Sequence, residues 1–107
     1  MNQSESSVVK KISERIKLLD AHAEVILFGS HARGDARQDS DWDILILVNK
    51  EKSSRKIEKP YRDQLFELEL EIGQPISTFV YSKESWEKDY SFTSLYQNIQ
   101  QEGIRIL

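Results

Sequence analysis

A chain of 107 residues is one domain in length, and with 38% apolar residues it has the material for a small packed core. A formal net charge of −3 argues against a protein that coats nucleic acid through basic patches, and the absence of cysteine excludes disulfides, thiolate metal sites and a cysteine nucleophile. No apolar run approaches the roughly 20 residues that span a bilayer. The opening MNQSESSVVKK lacks the apolar stretch of a secretion signal, so a cytoplasmic protein is expected.

Residues 1–7 are polar and Ser-rich and are expected to be disordered. Val8, Ile12, Ile16 and Leu19 then recur on one helical face, with Ser6 or Ser7 as the cap. Residues 24–29 contain the run Val25-Ile26-Leu27-Phe28 and read as a buried strand ending in a tight turn at Gly29-Ser30. Residues 31–40 are polar and form a loop with room for one helical turn. The second strand, 42–48, carries five consecutive apolar residues from Ile44 to Val48, the pattern of a central strand covered on both faces. Ile57, Tyr61, Leu65, Leu68 and Ile72 mark a helix that stops at Gly73 and either begins or bends at Pro60. A third strand is expected over 75–81. A short helix capped by Ser82 follows, then another over 92–101 ending before Gly103, and a short terminal strand from Ile104. This order predicts one domain over 1–107 of α/β (α+β) class, a small mixed β-sheet packed with helices.

The chemistry lies in Phe28-Gly29-Ser30-His31-Ala32-Arg33-Gly34 and in Ser40-Asp41-Trp42-Asp43-Ile44. Gly29, at a strand end, permits positive φ and close approach of a ligand to the backbone. Ser30 offers a hydroxyl and an amide to a phosphate oxygen. Asp41 and Asp43, one residue apart, project their carboxylates from the same face of a strand while Trp42 points into the covering layer. Two adjacent carboxylates repel each other unless a cation lies between them. Hard oxygen ligands of this kind suit Mg²⁺, which completes its shell with substrate phosphates. A phosphate-holding turn facing metal-binding carboxylates is what nucleotidyl transfer requires.

Gly-Ser, ten intervening residues and Asp-x-Asp between apolar flanks resemble the signature of the DNA polymerase beta-type nucleotidyltransferase superfamily. The extended form, GSHARG followed by SDWD, resembles its minimal (MNT) branch. The resemblance implies the nucleotidyltransferase fold, nucleotide phosphates held by Gly29, Ser30 and Arg33, and Mg²⁺ bound by the catalytic pair Asp41 and Asp43. It also implies a third carboxylate on the next strand, where this sequence has Ser77; Glu69 or Glu71 would have to substitute from the neighbouring helix. Minimal nucleotidyltransferases are commonly paired with a HEPN-domain toxin, and the studied type neutralises it by transferring AMP from ATP to a tyrosine. A HEPN-type partner and an antitoxin role are therefore implied. Two further readings stay open: a non-enzymatic, nucleotide-binding antitoxin that blocks its partner by binding, and a small-molecule transferase of the aminoglycoside-modifying kind.

Plainer roles compete at single positions. Asp41 would serve equally as a strand-flanking residue, and Asp43 as the partner of Arg33 or Arg37 in an ion pair, although a carboxylate beside five apolar residues is costly without a purpose. His31, beside the phosphate turn, is placed to contact a nucleotide but reads first as an exposed loop residue. Trp86 and Tyr90, like Phe92 and Tyr96, are spaced by four and read as core packing.

Overall fold

A computed structural model describes all 107 residues. Four strands form one mixed sheet in the order β3-β2-β1-β4: β1 (Glu24–Phe28), β2 (Trp42–Val48), β3 (Ile76–Ser82) and β4 (Ile104–Arg105). β1 pairs antiparallel with β2 and β4, whereas β2 runs parallel to β3 through the crossover helix α3 (Arg55–Ile72). β2 therefore has a strand on either side, and its last five residues are all buried, as their lack of alternation predicts.

The two faces carry separate cores. Trp42, Ile44, Ile46 and Val48 pack with Val25 and Leu27 beneath α1 (Gln3–Leu19) and α3, through Ile12, Ile16, Leu65 and Leu68. The alternate residues Leu45 and Leu47 meet Phe28, Trp86 and Ile99 beneath α4 (Lys83–Asp89) and α5 (Ser94–Glu102). Truncating Ile12, Ile44 or Leu65 to Ala would each cost ~2–5 kcal/mol, a large part of the net stability of a domain this size. No helix is long and apolar enough to cross a membrane.

The first helix begins at Gln3, inside the segment expected to be disordered, and neither Ser6 nor Ser7 is the cap. Asn2 caps it instead: its side chain accepts from the Glu5 amide at 2.8 Å and Glu5 returns the bond to the Asn2 amide at 3.2 Å. Such a capping box stabilises a helix start by about 1 kcal/mol. The helix α3 starts at Arg55, capped by Ser54, and runs through Pro60, leaving the Lys56 carbonyl without the amide donor that any other residue at position 60 would supply. Gly73, at φ +70°, terminates it as expected. Of the aromatic pairs, Trp86 is fully buried, but Phe92 is 83% exposed and takes no part in the core, because it lies in the turn before α5 rather than on that helix.

Candidate functional site

Asp43, the second residue of β2, lies opposite Phe28 at the carboxyl end of β1 on one side and Ser77 of β3 on the other, and shares its face of the sheet with Leu45 and Leu47. That face is covered farther along by α4 and α5, and the last residue of α5, Glu102, reaches the turn beside Asp43. Gly29 continues β1 into the four-residue helix α2 (Ser30–Arg33) at φ +77°. A Cβ on Gly29 would overlap Oδ2 of Asp43 and lie 3.0 Å from its Cγ, so the carboxylate occupies the space that the missing side chain leaves open. The turn and the carboxylate are thus in contact.

Asp41 lies just before β2 and is exposed, and the Ser77 hydroxyl donates to its Oδ2 at 3.0 Å. Trp42, between the two acids, points to the opposite face. Its indole N–H donates to Gln74 Oε1 at 2.8 Å. Partial burial raises the proton affinity of Asp43 above the usual carboxylate range, and the charges of Asp41 and Glu102 add to it, with His31 and Arg33 acting in opposition. Neither Arg33 nor Arg37 pairs with Asp43. Arg33 instead donates from Nε to Asp35 at 3.2 Å and from Nη1 to Glu102 at 2.9 Å, which keeps its guanidinium firmly protonated.

Two neighbouring carboxylates with no cationic partner of their own fit a divalent cation. No cluster of three or more acidic, His or Cys side chains forms in the chain, so the protein supplies no closed metal cage. Mg²⁺ held by one or two carboxylates and by substrate phosphates matches that donor set. Glu69 and Glu71 do not complete it. Glu69 accepts from the Ile76 amide at 2.7 Å, and Glu71 is paired with Arg15 of α1. Ser77, in register with Asp43, stands in the position where the resemblance places a third acid.

Three residues of the site carry no signal in the sequence pattern. His31 is buried rather than exposed: its ring lies flat on Trp42, with centroids 3.7 Å apart and planes at 4°. Its nitrogens face two acceptors, Glu5 Oε2 at 3.0 Å and the Ser40 carbonyl at 3.3 Å, which ties the start of α1 to the Gly29 turn and to the loop before Asp41. Glu5 is held below the usual carboxylate range chiefly by its bond to His31. The third is Glu102, the last residue of α5, whose Oε2 accepts from the Gly29 amide at 2.8 Å as well as from Arg33. Two cavities of about 550 and 560 Å³ lie behind this arrangement, between the start of α1 and the end of α3, and neither is lined by Asp41 or Asp43.

A family model described as a nucleotidyltransferase domain matches residues 9–106. Among curated proteins, the chain is similar to two from Methanocaldococcus jannaschii, each named as a candidate protein adenylyltransferase. MJ0604 is 36% identical over 81 residues, covering 75% of this chain and 73% of that protein. MJ0141 is 49% identical over 43 residues, covering 38% and 43%. Among solved structures, one described as a crystal structure of a toxin–antitoxin with AMP-PNP superposes with a TM-score of 0.66 at 17% identity, over 92% of this chain and 72% of that one. At that identity the likeness is one of fold.

Proposed function

The chain belongs to the nucleotidyltransferase domain family, and from that premise we propose that it transfers AMP from ATP to a tyrosine hydroxyl of a HEPN-type toxin partner, acting as its antitoxin in the cytoplasm. The observation that carries this reading is the contact between the Gly29 turn and Asp43, which sets a phosphate-holding backbone beside a carboxylate pair. Gly29, Ser30 and Arg33 would hold the triphosphate. Asp41 and Asp43 would hold Mg²⁺, which when bound neutralises charge on the transferring and leaving phosphates. In the reaction the acceptor oxygen bonds to the α-phosphorus, the bond to the β-phosphate oxygen breaks, and pyrophosphate and the hydroxyl proton are released.

A protein acceptor is supported by two further points. The similar M. jannaschii proteins carry the adenylyltransferase name, and a structure of like fold is a toxin–antitoxin with AMP-PNP. Asp41 is exposed, and neither it nor Asp43 lines the cavities of about 550 and 560 Å³ between the start of α1 and the end of α3, which favours an acceptor presented by another chain. The test is the intact mass of the product of the adjacent gene after co-expression with this protein. An added AMP mass with the wild type and none with Asp43→Asn is expected; an unchanged mass with both refutes the transfer.

One observation favours a second reading, in which the chain binds nucleotide and blocks its partner without transfer. Ser77 stands where the resemblance places an acid, and Glu69 and Glu71 are engaged elsewhere. Full neutralisation of the partner by an Asp41/Asp43 double variant would select it.

A further inference from the structure

Glu102 has no place in the reaction described above, yet it lies at the centre of the phosphate-holding turn. A single oxygen of its carboxylate takes both the Gly29 amide, at 2.8 Å, and Arg33 Nη1, at 2.9 Å. These are the donors assigned to phosphate, and a carboxylate oxygen binds them by the same charge-assisted bonds that a phosphate oxygen would. The position is not explained by the helix that carries it. Glu102 is the last residue of α5, where the helix dipole disfavours negative charge. It also adds a third negative group to the neighbourhood of Asp41 and Asp43.

We infer that Glu102 is an internal competitor of the nucleotide: its carboxylate fills the phosphate subsite of the free chain and swings out when a polyphosphate enters. This rests on the reading that Gly29, Ser30 and Arg33 hold phosphate. The single Gly29 N–H cannot serve both a phosphate oxygen and the Glu102 carboxylate, and like charge drives the two apart. The movement belongs to the side chain and not to the backbone. Gly103, which follows, donates to the Ile99 carbonyl at 2.8 Å, and any Cβ there would lie 2.9 Å from Ile26 Cγ2, so the α5–β4 corner is packed tight against the sheet. The Glu102 side chain retains 20% exposure, leaving it a way out toward solvent. Nucleotide affinity is then reduced by the fraction of molecules in which the subsite is filled.

The test is calorimetric titration of Mg²⁺-tripolyphosphate, Mg²⁺-ATP and adenosine into the wild-type chain, Glu102→Gln and Glu102→Ala, with thermal melting of each form. Both variants are expected to bind tripolyphosphate and ATP about tenfold more tightly, equivalent to ~1.4 kcal/mol, with no gain for adenosine. Folded variants that bind polyphosphate no tighter than the wild type, or more weakly, would make Glu102 a brace for Arg33 and overturn the competition. Equal gains for adenosine would overturn it as well. If no form, wild type included, binds ATP or tripolyphosphate, the phosphate-site reading falls and takes the competition with it, an outcome distinct from equal binding by all forms. A wild-type measurement serves should the variants unfold. The ¹³C shift of the Glu102 carboxyl is expected to move to that of a solvated glutamate as tripolyphosphate saturates, and an unmoved shift at saturation would refute displacement.

Discussion

The carboxylate of Asp43 fills the space where any residue other than glycine at position 29 would carry its Cβ. Gly29 also sits at φ +77°, which costs an L-residue ~1–3 kcal/mol by itself. Gly29→Ala is therefore expected to push Asp43 out of place and to abolish AMP transfer as well as lower the melting temperature. Gly34, at φ +84° with nothing within 4 Å of a Cβ, provides the comparison. Gly34→Ala carries the strain alone, about 1 kcal/mol or 4–8 °C, and should still bind ATP. Melting curves and ATP titrations of the two variants separate strain from collision.

Asp43→Asn is expected to reduce transfer at least a thousandfold or so, since the stabilisation lost with the cation is several kcal/mol. The same change should stabilise the metal-free fold. Asp43 is raised in the folded chain, so the folded state favours its protonated form and the penalty of ionising it is complete at neutral pH. Removing that charge should lift the melting temperature at pH 7 by a few degrees. The gain should shrink as pH falls through the folded value and the wild-type carboxyl takes up its proton. A variant that loses both activity and stability would contradict this account of the site's electrostatics.

Ser77 bonds to Asp41 and lies in register with Asp43. Ser77→Asp would place a third carboxylate beside the pair. In the metal-free chain it should lower the melting temperature through like-charge repulsion, and Mg²⁺ should restore it. If the chain is a transferase, the rate of AMP transfer should rise about tenfold, ~1.4 kcal/mol of barrier. Restored stability with no change in transfer would favour the binding antitoxin.

The Glu5–His31 contact links the start of α1 to the Gly29 turn. Glu5 is depressed in the folded chain, so its contribution is complete above the unfolded carboxylate range and is lost as pH falls through the lowered folded value. Glu5→Gln should accordingly melt below the wild type at pH 7 and converge with it in acid, once the wild-type carboxyl is protonated in the folded chain as well. Parallel melting curves across that whole range would show that the contact contributes nothing through charge.

Local pattern was enough for the sheet and for the first outline of the site. The unbroken apolar run of β2, the glycine stop of α3 and the inward-facing Trp42 each depend on a few neighbouring residues, and the structure places them accordingly. The start of α1 was not legible because Asn2 and Glu5 cap it through a reciprocal bond rather than through an apolar repeat. Phe92 carries the same spacing of four as Trp86 and Tyr90, and spacing does not tell whether a helix has yet begun.

What the sequence by itself determined is the chemistry on offer: a flexible glycine, a hydroxyl, a guanidinium and two carboxylates at strand ends, joined by a short loop. Only the tertiary structure decided their partners. His31 is buried against Trp42 and Glu5, Glu69 and Glu71 are bound away from the site, and Glu102 lies in the turn from 73 residues away. The physical reason is that strand identity and turn geometry are set by neighbours along the chain, whereas the partner of a charged side chain is set by which elements the sheet order brings together. Nothing in residues 28–44 anticipates that the end of α5, just before the chain returns along β4, delivers a carboxylate to the Gly29 amide.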